Sequence, residues 1–206
     1  MEGRVTRHMA VAGLVLILAL ALAVRTASFY LHGFKNGNLF YVESAQHFRY
    51  TRMAAEGKAV PRLDVELEHP DGFTPHTDAI TGELFWGYLY RWLRPPVALE
   101  TFVRYCVRGW FSLTLVPIYL LTVHYTRRRS AGLLAALTFA VAQPAVSRST
   151  GNVILREHFA LPFLGMHLYL FALALAAPHR PGGGGRTANN QTTSSSPSSH
   201  SPALLT

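Results

Sequence analysis

Sixteen residues without a charge, MAVAGLVLILALALAV from Met9 to Val24, restrict this chain more than any other feature. Carried on through Thr26 to Tyr30, the run is long enough to cross the hydrocarbon core as a helix. Arg25 is expected to snorkel outward from it and Tyr30 to sit at the interface. The flanking MEGRVTRH and Ala21-Leu22-Ala23 also fit a cleaved signal peptide. The retained helix is the preferred reading, because further apolar runs follow and can pack against it. These are about Val107 to His124, Ala131 to Val146 and Phe159 to Ala177. The expected fold is therefore all-α, a polytopic membrane bundle of about four spans.

Composition agrees. Half of the chain is hydrophobic and 15% is charged, against roughly 25% in soluble domains. The formal net charge is +8. The basic residues gather at the ends of apolar runs, which reads as a topology signal and not as a nucleic-acid surface. No nucleic-acid partner is expected. The single cysteine, Cys106, excludes an internal disulfide.

The expected organisation is an N-terminal span over 1–30, a large loop over 31–104, a three-span bundle over 105–178 and a disordered tail over 179–206. The tail, rich in Gly, Ser and Thr, has too little apolar content to bury a core. MEGRVTRH, YTRRRS and HRPGGGGR fall at one end, all basic. By the positive-inside rule both termini are cytoplasmic and the large loop is extracytoplasmic or lumenal. The sequon at Asn190-Gln191-Thr192 would then lie inside and stay unused. Within the loop, LFWGYLYRWL from Leu84 to Leu93 reads as an aromatic helix at a lipid interface. Asp64, Glu66 and Glu68 read as solvated acids.

The same topology brings Glu43, just outside the first span, to the same membrane face as Glu157, just before the fourth. Two carboxylates there can bind a hard cation, Mg2+ or Mn2+, through oxygen. Such an ion neutralises a departing phosphate, and nearby arginines grip phosphate oxygens. The bland alternative for Glu157 is a helix cap. Arg49 and Arg52 equally suit ion pairs with Glu43 and Glu56, or lipid headgroups. His69, His76 and His158 lack any HExxH or His/Cys spacing.

VESAQHFRYTRMAAEG, Val42 to Gly57, resembles the first outer-loop motif of the oligosaccharyltransferase catalytic subunit, E-F-D-P-Y-F-N-Y-R-T-T-x-x-L-x-x-x-G. That family comprises membrane glycosyltransferases of the GT-C type. The resemblance puts Glu43 on the metal-binding, catalytic acid, with Arg49 and Arg52 as phosphate or structural partners. STGNVILREHFALPF resembles the second motif, D-x-D or D-x-E, with Glu157 on the second acid and Leu155 where the first acid belongs. It implies Mg2+ or Mn2+ as cofactor, a polyprenyl-phosphate-linked glycan donor, an asparagine acceptor on a polypeptide, membrane lipid around the bundle and further membrane subunits. Family members are several times longer and carry a sequon-reading domain, so this chain is expected to be incomplete. The alternative is a non-catalytic assembly subunit or relic.

Overall fold

The computed structural model describes residues 6–31, 42–68 and 70–176. His69, the sequon and the expected disordered tail lie outside the described residues. Among those described, the fold is helical, with one isolated antiparallel bridge between Asp64 and Phe73.

The first helix, α1 (Arg7–Leu31), holds 25 residues, about 37 Å at roughly 1.5 Å per residue. A short α2 (Val42–Glu56) follows, then a 3-10 turn at Pro75–Thr77 and α3 (Thr81–Leu93). Two nearly continuous helices come next, α4 (Leu99–Ser112) and α5 (Leu115–Thr126). Their break at Leu113 and Thr114 falls where the ring of Pro117 crowds the carbonyl four residues earlier. A hairpin at Arg127, in the left-handed region at φ 58°, leads to α6 (Arg129–Val141), α7 (Gln143–Arg148) and α8 (Arg156–Ala176).

Among the described residues, three stretches are long and apolar enough to cross a membrane: Arg7–Leu31, Leu99–Thr126 and Arg156–Ala176. The expected third span differs. It stops at Val141 after 13 residues, about 20 Å, and Ala142 turns extended with ψ 121°. Pro144 is the physical reason, since a proline disfavours helix in the residues before it and removes a donor.

Small residues let the long helices approach. Gly132, Ala136 and Ala140 repeat every fourth position on α6 and are buried, the small-residue spacing of membrane helix contacts. Ala136 and Ala140 form a core with Ile17 and Ala21 of α1 and Leu115 of α5. Gly132 backs onto Tyr119 and Val123, and Gly13 of α1 faces the Leu133 side chain, so the basic turn at Arg127–Arg129 lies at the end of the bundle where α1 begins. His124 meets Tyr169 edge to face, so α8 runs down toward that same end.

The opposite end carries α2 and α3. Buried Ser44, His47, Phe48, Thr51 and Ala54 recur at helical spacing on one face of α2. Gly87 of α3 sits against that face. A Cβ there would stand 2.4 Å from the Thr51 carbonyl oxygen and 2.5 Å from the Ala54 Cβ. The expected aromatic helix is α3, and its rings divide. Trp86 is buried against Trp110 and Phe159, while Tyr88 and Trp92 are exposed.

Candidate functional site

The connection from α7 to α8, Ser149 to Leu155, runs through the interior. Ser149, Thr150, Asn152 and Ile154 are each buried. A buried loop must find partners for its polar groups, and three helices supply them. Arg25 of α1 donates from Nε to Ser149 Oγ at 2.8 Å and from Nη1 to the carbonyls of Ala21 and Ala140, each at 3.1 Å. Arg108 of α4 donates from Nε to the Thr150 carbonyl at 2.6 Å. Ser44 of α2 accepts from the Ile154 amide at 3.0 Å.

Arg25 therefore does not snorkel; its exposure is 0%. The inward course wins because the loop offers a hydroxyl, α6 offers the carbonyl of its last turn, and Phe111 presents its ring 5.3 Å away. Arg108 lies likewise over the ring of Phe29, at 4.5 Å. Two arginines four residues apart within a helix that can span, Arg104 and Arg108, were a readable sign of this, since intramembrane charge is costly unless it faces the interior.

Gly151 completes the clamp. Its φ of +93° favours glycine, and a Cβ would stand 2.9 Å from both the Arg104 carbonyl oxygen and Arg108 Nε.

The clamped loop forms one wall of a cleft of about 400 Å3 lined by Glu43, Ser44, Ser147, Arg148, Leu155 and Glu157. Glu43 stands in the first turn of α2 and Glu157 in the first turn of α8. Both are exposed, and each complements the positive end of its helix. The fold thus brings these two acids to one cleft across more than a hundred residues.

Arg49 and Arg52 do not line it. Arg49 grips Asp64 in a fork, Nε to Oδ2 at 2.8 Å and Nη2 to Oδ1 at 3.2 Å, and also reaches Glu66 at 2.7 Å. The Asp64 hydrogen bond holds the Arg49 guanidinium above its ordinary pKa. Arg52 pairs with Glu100 at 2.9 Å and lies over the Phe48 ring. The partners are thus not Glu43 and Glu56. Asp64 is no solvated acid either: it is 3% exposed, and its backbone pairs with Phe73 at 2.7 and 3.0 Å. The arginine of the cleft is Arg148. Its only sequence signal was its place in the polar loop beside STGN.

As a metal centre the cleft offers two carboxylates. Leu155 replaces a third, and among the described residues no group of three or more His, Cys, Asp or Glu gathers. His158 is buried, its Nδ1 accepting from the Leu155 amide at 3.3 Å. Mg2+ is commonly held by one or two carboxylates, with water and substrate phosphate filling its other positions.

A family model described as "Dpy19: Q-cell neuroblast polarisation" matches residues 79–189, more than half of the 206-residue chain. The chain belongs to the Dpy19 family. This family is of the GT-C glycosyltransferase type, related to the oligosaccharyltransferases but not specifically their catalytic subunit. The membership therefore corrects the narrower resemblance read from the motifs. In this Dpy19 chain the matched stretch holds Arg148, Glu157 and the clamped loop, while Glu43 and α2 precede it. No curated protein and no solved structure matches the chain.

Proposed function

We propose that this Dpy19-family chain serves glycosyl transfer from a polyprenyl-phosphate-linked donor at the extracytoplasmic or lumenal membrane face. The observation that carries the reading is the shared cleft of Glu43, Arg148 and Glu157. The family is one of C-mannosyltransferases, which favours mannose as the sugar and a carbon atom of the acceptor polypeptide over the asparagine amide.

In that reaction the bond from the sugar anomeric carbon to the donor phosphate oxygen breaks. A bond to the acceptor carbon forms, and the acceptor loses a proton. Glu43 takes that proton as general base. Arg148 grips the phosphate, and the first turns of α2 and α8 add their positive potential. Mg2+ or Mn2+ held by Glu43 and Glu157 would, when bound, neutralise charge on the leaving phosphate. Arg49 and Arg52 keep the α2 scaffold in shape through Asp64, Glu66 and Glu100. The sidedness rests on the basic turn Arg127–Arg129 at the opposite end. Further membrane subunits would pack against the bundle.

The test is binding of polyprenyl-phosphate mannose to the chain in nanodiscs, paired with a transfer assay. Arg148→Ala is expected to weaken binding about tenfold, the loss of a charged hydrogen bond. Glu43→Gln is expected to retain binding and abolish transfer. Equal binding by wild type and Arg148→Ala would favour the non-catalytic assembly role.

A further inference from the structure

Of the 11 acidic residues in the chain, all but Glu2 lie between Glu43 and Glu157. They sit on α2, on α3, at the starts of α4 and α8, and in the segment from Asp64 to Asp78. That is the end of the bundle that carries the cleft. The other end, where α1 and α6 begin and α5 and α8 finish, holds arginines and no acid among the described residues.

The helix contacts bring these arginines to one depth. Gly13 of α1 packs on Leu133 of α6, where a Cβ would stand 3.2 Å from Leu133 Cδ1. Ile17 and Ala21 continue the contact with Ala136 and Ala140, so the two helices run in parallel from a shared end. Arg7 opens α1, about 9 Å beyond Gly13 at roughly 1.5 Å per residue. Arg129 opens α6, about 6 Å beyond Leu133, and Arg127 and Arg128 form the turn just outside it. Packed helix axes lie about 8–10 Å apart, so the four arginines share one compact patch. The turn is held in shape: the Arg127 amide donates to the Val123 carbonyl at 2.8 Å, and the Arg128 amide to Thr126 Oγ1 at 3.2 Å.

Arg7, Arg127 and Arg128 are exposed and have no ion pair among the described residues. Tyr125, 72% exposed, precedes the turn and suits a membrane interface. The sequence beyond these helix ends, 1–5 and 177–206, adds Glu2 as its one acidic side chain, against Arg4, Arg180 and Arg186. The counter-charge therefore comes from outside the chain. At the end of a membrane span the nearest anions are lipid headgroups. A topology signal needs only positive charge, which lysine supplies as well. Here every residue of the patch is arginine, whose planar fork fits a pair of phosphate oxygens.

We propose that Arg7, Arg127, Arg128 and Arg129 form a docking surface for the phosphate of an anionic membrane lipid, in the leaflet opposite the cleft. The bound lipid pins the start of α1 to the α5–α6 turn. This surface is independent of the glycosyl-transfer reading.

The experiment uses the full chain in detergent, offered phosphatidylglycerol and phosphatidylcholine in equal amounts, with retained lipid counted by native mass spectrometry. One arginine near a headgroup is expected to contribute about fivefold, the equivalent of about 1 kcal/mol. For the three exposed arginines the preference for phosphatidylglycerol is then on the order of a hundredfold. The triple variant Arg7→Gln, Arg127→Gln, Arg128→Gln is expected to abolish it while circular dichroism stays helical. Should that variant fail to fold, Arg128→Gln decides alone, with an expected loss of about fivefold. Arg91→Gln with Arg94→Gln, exposed positions at the cleft end, is expected to leave the preference unchanged. Equal retention of the two lipids by the wild-type chain would overturn the proposal and leave the patch a topology signal. A preference that survives the triple variant, or one lost with Arg91 and Arg94, would overturn it as well. Displacement of the lipid by an equal concentration of soluble glycerol phosphate would do the same, and would give the patch to a free phosphate.

Discussion

Arg25 Nε donates to Ser149 Oγ at 2.8 Å, joining the first membrane helix to a loop 124 residues later. That bond, with those of Arg108 and Ser44, fixes the segment from which Arg148 and Glu157 reach the cleft. Arg25→Ala removes a fully buried fork and leaves the Ser149 hydroxyl and Ala140 carbonyl to find other partners. A loss of about 3 kcal/mol is expected, read as a lower unfolding midpoint in detergent. Arg25→Lys keeps the charge and loses the fork, so it is expected to recover less than half of that loss.

Gly151→Ala is expected to be as damaging although it adds one methyl. The left-handed φ strains any other residue, and the Cβ meets the Arg104 carbonyl oxygen and Arg108 Nε at 2.9 Å. A cost of about 3 kcal/mol follows from the two effects together. Donor binding is expected to fall with stability, because the loop that carries the cleft shifts. Unchanged unfolding in urea would contradict the clamp.

Gly87→Ala tests the approach of α2 to α3. The added Cβ would stand 2.4 Å from the Thr51 carbonyl oxygen, and backbone cannot swing aside as a side chain can. Overpacking of about 2 kcal/mol is expected. Trp86, which sits one residue away in the core, supplies the readout, as a red shift of tryptophan emission at lower denaturant.

Tyr50 supplies a pH dependence. Burial, and then the nearby Asp64 carboxylate, push its hydroxyl up to about 12. An unfolded tyrosine ionises near 10. Between these values the unfolded chain releases a proton that the folded chain keeps, so stability falls as pH rises from about 10 to about 12. Below pH 10 the group contributes no slope. Tyr50→Phe is expected to flatten this part of the profile of unfolding midpoint against pH.

What the sequence settled was local in its physics. The apolar runs of α1 and α8 are long enough to name as helices, because hydropathy and length are properties of a single segment. Pro144 was in plain view within the third run, and its effect on the preceding helix was readable there. Glu43 and Glu157 were nameable as acids near helix starts. Their meeting in one cleft, and the company of Arg148, depended on how α2, α7 and α8 pack.

The tertiary structure decided the fates of the charged residues. A lone arginine at the end of an apolar run snorkels unless some distant segment offers acceptors inside, and Arg25 finds Ser149 and Ala140. Asp64 would be solvated if Arg49 did not fork around it, and Arg49 would be free for phosphate if Asp64 and Glu66 did not hold it. The choice for each charge lies between water and a partner far away in sequence. Its outcome depends on geometry that no local pattern encodes, because the cost of burial is repaid only when both partners arrive together.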